Sequence, residues 1–147
     1  MKKLLIPFIF LLVLTTFSID SKAQCNDQLV NDCALNVGDN ATYIKDFRAR
    51  LKGARKGSAP IANFSIVLNK QTHYRFTVCN AIEFEGEAVL QLYDENNNMI
   101  GSTFDLAKGK DYKAFDFMCR KTSTYKVYIS FKGGLEGCAV GILSMVR

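Results

Sequence analysis

The sequence predicts an all-β fold, an antiparallel β-sandwich of about eight strands. Three observations predict it. Tyr125, Val127, Ile129 and Phe131 alternate with Lys126, Tyr128, Ser130 and Lys132, the period of two of a strand with one buried face. Residues 138–146 are almost all apolar or small, as in a strand covered on both faces. Short alternating runs then recur along the chain with polar turn clusters between them, the spacing of a sandwich. No helix of ordinary length is required after residue 24.

The chain opens with a leader. Lys2 and Lys3 precede an apolar run from Leu4 to Phe17, and Ser21-Lys22-Ala23 sets small residues three and one positions before a cut. That is the layout of a secretory signal peptide over residues 1–23, with Gln24 as the mature start. The run is shorter than the roughly 20 residues that span a bilayer. Lipidation of Cys25 is the rival reading. It is the poorer match, because Gln24 and Lys22 stand where small residues are wanted. Residues 24–147 are one domain's worth of chain, with no second apolar run fit to span a membrane. Removing Lys2, Lys3, Lys22 and Asp20 lowers the net charge from +5 to +3, so overall charge says little about partners.

In chain order, residues 24–40 hold Asn, Asp and Gly with few large apolar residues and read as an irregular lead-in. Over residues 41–52, Phe47, Ala49 and Leu51 alternate with Arg48, Arg50 and Lys52, which reads as a strand; Ile44, Phe47 and Leu51 also fit a short amphipathic helix. Breakers fill residues 53–60. Strands follow with Phe64, Ile66 and Leu68 on one face, then Tyr74, Phe76 and Val78, then Ala88, Leu90 and Leu92. The run Asp94–Asn98 is a turn of residues that bond their own backbone. Residues 99–104 continue as its partner strand, residues 108–111 turn again, and Phe115 and Phe117 mark the strand before the final two.

Five cysteines in an exported chain suggest disulfides with one thiol left over. The candidates for pairing are Cys25, Cys33, Cys79 and Cys119. Cys25 and Cys33 are close enough in sequence to suggest a local bridge. Cys79 and Cys119 each end an apolar strand, which suggests a bridge between neighbours. Cys138, inside the most apolar strand, is the candidate free and buried thiol.

The segments FSIVLNKQTHYRFTV (64–78), AVLQLYDENNNMIGS (88–102) and STYKVYISF (123–131) resemble the bacterial pre-peptidase C-terminal type of jelly-roll sandwich. The likeness spans roughly residues 47–146. It implies a jelly-roll order of strands and a non-catalytic role beside secreted enzymes, in some cases binding polymers or calcium. The chain departs from that setting in its cysteines, and its 147 residues hold no attached enzyme.

No catalytic residues are assigned. His73 is the sole histidine, and no nucleophile motif accompanies it. A hydrolase reading would draw on Glu83, Glu85, Asp94 or His73. Zinc would need four convergent ligands, which disulfide cysteines do not supply. Asp94, Glu95, Asn96 and Asn98 offer hard oxygens for calcium, though a hairpin turn wants the same residues. Lys45, Arg48, Arg50, Lys52, Arg55 and Lys56 face a single acid, Asp46, within twelve positions. That stretch could bind an acidic polysaccharide or lipid headgroup, but protection of an edge strand, which needs no partner, is the simpler reading. No cofactor is expected. The expected partner is an envelope protein or polysaccharide, and export disfavours nucleic acid. The sum is a secreted or periplasmic, non-enzymatic binding or structural module of the bacterial envelope.

Overall fold

The computed structural model describes residues 25–147, so the expected leader and Gln24 lie outside the described residues. Two four-stranded antiparallel sheets face each other. The first holds β1 (Ala41–Leu51), β10 (Gly137–Val146), β3 (His73–Asn80) and β8 (Ala114–Met118), in that order. The second holds β2 (Ala62–Leu68), β9 (Ser123–Phe131), β4 (Ala88–Tyr93) and β5 (Met99–Ser102). A small hairpin, β6 (Phe104–Asp105) with β7 (Lys110–Asp111), stands apart. With that hairpin set aside, the eight strands run 1-8-3-6 and 2-7-4-5 in chain order. This is the jelly-roll order, in which the chain wraps back and forth between two sheets.

The alternating faces meet in the middle. Phe47, Phe76, Leu68, Leu90, Leu92, Val127 and Ile129 are all buried there. Phe47 packs on Phe64 and Phe76 on Phe115, each at 5.3 Å between ring centres. The strand predicted over residues 41–52 runs over Ala41–Leu51, with Lys52 just past its end, and β1 is an edge of its sheet. The predicted strand 99–104 is shorter. It ends at Ser102, and Phe104 and Asp105 turn away to pair with Lys110 and Asp111, part of the predicted turn. Thr103 sits at the break, its hydroxyl buried and accepting the Leu90 N–H at 2.9 Å.

The last two strands hold the fold together, but not as neighbours. β9 lies inside one sheet and β10 inside the other. The turn Lys132–Gly134 carries the chain across, with Gly133 and Gly134 both at positive φ, which glycine adopts without a steric cost. β10 is buried from Gly137 to Ser144. Its inner face sets Ala139, Gly141 and Leu143 in the sandwich core. A Cβ on Gly141 would lie 2.7 Å from Leu90 Cδ1. Its outer face presents Cys138, Val140 and Ile142 to a helix the sequence did not predict.

That helix, α1 (Asp27–Leu35), replaces the expected irregular lead-in. Asn26 caps it by accepting the Leu29 N–H at 3.0 Å, and Asp27 favours the positive end of the helix dipole. Only Val30 and Cys33 of its nine residues are fully buried, so the apolar stripe is too narrow to announce itself. Nine residues are also too few for a stable isolated helix; tertiary packing and covalent ties hold it.

Those ties overturn the expected pairing. Cys25 is bonded to Cys138 and Cys33 to Cys79, and Cys119 is the free, buried thiol. The local bridge fails because Cys25 and Cys33 flank more than two helical turns, roughly 12 Å of rise, beyond the reach of a disulfide. A Cys79–Cys119 bridge fails because β3 and β8 are antiparallel. Two cysteines that both end such strands lie at opposite ends of the pair. Cys138 is not free because its side chain points to the helix face, where Cys25 waits; Cys119 instead points into the core. Both bridges staple α1 to the outer face of the first sheet. Disulfides of this kind belong to an oxidising environment. Among the described residues, no helix is long and apolar enough to cross a membrane.

Candidate functional site

The jelly-roll order puts β5 and β8, the edges of opposite sheets, on the same side of the sandwich. Between them, beside the β4–β5 turn and the β8–β9 connection, lies a cleft of about 450 Å³. Ile100, Phe117, Met118 and Tyr125 give it apolar walls, and Glu95, Arg120 and Lys121 stand among its charged residues. Phe117 and Tyr125 meet edge to face at 5.6 Å. Met118 is about half exposed at the rim of the cleft.

Glu95, Asp94 and Tyr125 of the cleft have defined partners. Glu95 takes Lys121 on one oxygen and the Ser123 hydroxyl on the other. Those two donors hold its carboxyl below the usual range. Asp94 Oδ1 accepts the N–H groups of Asn96 and Asn98 at 2.8 Å each, and Oδ2 accepts the Asn98 amide at 2.9 Å. The Asn98 donors lead in holding the Asp94 carboxyl down. The Tyr125 hydroxyl donates to the Lys121 carbonyl at 2.9 Å. Burial, then the hydrogen bond to Cys119, pushes its pKa up to about 12. The two carboxylates therefore stay ionised and the phenol neutral across ordinary pH. Such a set offers shape, apolar contact and fixed charge, with no group in it poised to move a proton.

Asp94, Glu95, Asn96 and Asn98 thus share a loop, but they build a hairpin turn. Asn97 adopts the left-handed φ of 61°, and the carboxylate oxygens are occupied by donors. Among the described residues, no three His, Cys, Asp or Glu side chains are grouped to hold a metal. The acids named for hydrolysis do not converge either. Glu83 and Glu85 precede β4 and Asp94 follows it, separated by a strand of about 20 Å. His73 lies 3.4 Å from Asp116, whose two oxygens are already held by Arg75 at 2.6 and 2.9 Å.

The basic stretch divides in two. Arg48 pairs with Asp27 at 2.8 Å and Asp46 at 2.9 Å; Arg50 pairs with Glu136 at 3.2 Å and lies over the Phe84 ring. Lys45 rides above Phe47. Lys52, Arg55 and Lys56 are exposed and have no ion-pair partner among the described residues.

Reasoning from sequence missed Ile100, Phe117, Met118, Arg120, Lys121 and Tyr125 as a group. They come from two edge strands and a connection that only the wrapped topology unites. The one available signal was the pair of apolar residues, Met99 and Ile100, directly after an Asn-rich turn.

No family model and no curated protein matches the chain. Among solved structures, it is similar to a chain of the glycosylation-associated protein complex from Streptococcus agalactiae. The identity is 14% and the TM-score 0.35, over 74% of this chain and 34% of that one. The chain therefore spans about a third of the length of that neighbour.

Proposed function

We propose that this chain is an exported, non-enzymatic binding module of the bacterial cell envelope, and that it takes its partner in the cleft between β5 and β8. The observation that carries this reading is the cleft itself. Its walls are apolar and aromatic, and its carboxylates and phenol are fixed in the forms that bind rather than transfer protons. The resemblance of residues 64–78, 88–102 and 123–131 to accessory sandwiches of secreted enzymes fits the same role. Two disulfides fit export. A lipid on the Cys25 thiol would exclude its bond to Cys138, so the module is soluble once released from its leader.

The test is site-specific photo-crosslinking in envelope extracts. A photoreactive residue at Ile100 or Lys121 is expected to trap one discrete species. The same residue at Ile82, exposed in the β3–β4 connection, is not. Equal labelling from all three positions, or none from the cleft, would contradict the reading.

A further inference from the structure

A jelly roll of two sheets leaves four strand edges, and three of them are defended against pairing. β1 carries Lys45, Arg48 and Arg50 and shifts register between Tyr43 and Lys45. β5 has only four residues. β8 carries Asp116 and is flanked by Lys113 and Arg120. Charges, bulges and shortness are the means by which sheets avoid edge-to-edge contact. β2 has none of them. Its seven residues, ANFSIVL, contain no charge and no proline, and their register with β9 runs without a break. Val67 on this strand is 66% exposed.

The direction of the open backbone groups follows from the ladder. Leu90 gives its N–H to Thr103 Oγ1 and its carbonyl to the Thr103 N–H, so its backbone faces away from β9. Leu90 stands opposite Ile129, and Ile129 opposite Ala62. In antiparallel sheets the bonded pairs alternate. Ile129 therefore bonds Ala62, and Phe64, Ile66 and Leu68 follow it in facing β9. The backbone groups of Asn63, Ser65 and Val67 point outward.

We propose that this edge recognises a second copy of the same chain, the two β2 strands pairing antiparallel about a two-fold axis at Ser65. The outward set maps onto itself under that axis: Ser65 meets the second copy's Ser65, and Asn63 meets its Val67. Each such pair exchanges two backbone hydrogen bonds, so three outward residues on each strand satisfy one another completely. On the inner face, Phe64 meets Ile66 and Ala62 meets Leu68, which covers the half-buried Ala62 and Phe64. No charge on either strand opposes the contact. The adjacent edge β1 brings Arg48 and Arg50 already matched by Asp27, Asp46 and Glu136. The two four-stranded sheets become one of eight, an isologous two-fold assembly. The β5–β8 clefts lie on the far sides and stay open.

Sedimentation equilibrium of the disulfide-intact exported chain tests this. A reversible dimer is expected. Ser65→Pro removes an N–H that makes no bond within the monomer, and Val67→Lys adds a charge at an exposed position. Each is expected to raise the dissociation constant by at least about tenfold, with circular dichroism and disulfides unchanged. Mixing Asn63→Cys and Val67→Cys chains is expected to give a mixed disulfide faster than either chain alone. A monomer at every soluble concentration overturns the proposal. So does a dimer indifferent to both substitutions, or one in which Asn63→Cys chains bridge to themselves in preference.

Discussion

Removing the Cys33–Cys79 bridge by replacing both residues with alanine tests how α1 is held. The bridge closes a loop of 46 residues. On the chain-entropy view, that closure removes about 13–14 cal/mol/K from the unfolded state, roughly 4 kcal/mol at 25 °C. The Cys25–Cys138 bridge still ties the helix at its other end, so the double variant is expected to fold. Its stability should fall by about 3–5 kcal/mol, and its Tm by roughly 12–20 °C for a domain of this size. Thermal and urea unfolding, followed by circular dichroism on the oxidised proteins, measure both values. A loss below about 1 kcal/mol would refute the reasoning, because the chain-entropy account assigns a bridge of this span several times that value. A loss of the fold altogether would show that Val30, Val37, Val140 and Ile142 do not pack without the covalent tie.

Three further expectations follow from single contacts. Gly141→Ala would set a Cβ 2.7 Å from Leu90 Cδ1 and 3.3 Å from Ile129 Cδ1, and overpacking of this kind should cost about 1–3 kcal/mol in urea unfolding. Arg75 holds the Asp116 carboxyl below its ordinary value. Its contribution is therefore complete above the unfolded pKa near ~3.9 and vanishes as pH falls through the lower folded value. Asp116→Asn should cost about 0.5–1 kcal/mol at neutral pH, small because the side chain is over a third exposed, and the cost should shrink as pH falls through the folded value. Asp94→Ala should lower Tm by breaking the turn, whereas calcium and chelator should leave the Tm of the natural chain unchanged, because the Asp94 oxygens already hold three N–H donors.

What the sequence made legible was the part of the fold that local pattern decides. The alternation in residues 125–132 became β9, the apolar run after it became the doubly covered β10, and the arginines of residues 45–56 marked an edge strand. What it hid depends on contacts between distant segments. Cysteine pairing turns on which face and which end of a sheet each strand presents. A period of two does not say which sheet a strand joins, so Cys138 looked merely buried. Helix α1 carries too little apolar surface to be visible without β10 beneath it. The cleft was hidden for the same reason: Ile100 and Met118 lie on strands of opposite sheets, brought side by side only by the wrap of the jelly roll. The calcium reading of Asp94 and Asn98 was open for another reason: a turn and a metal call on the same atoms, and here those atoms hold the turn.

The most direct test of an exported, disulfide-stapled module is peptide-level disulfide mapping of the secreted protein, with thiol alkylation before and after unfolding. The account predicts a chain starting at Gln24, Cys25 joined to Cys138, Cys33 joined to Cys79, and a Cys119 thiol that alkylates only after unfolding. A lipid on Cys25, or a free Cys138 beside a bridged Cys119, would contradict it.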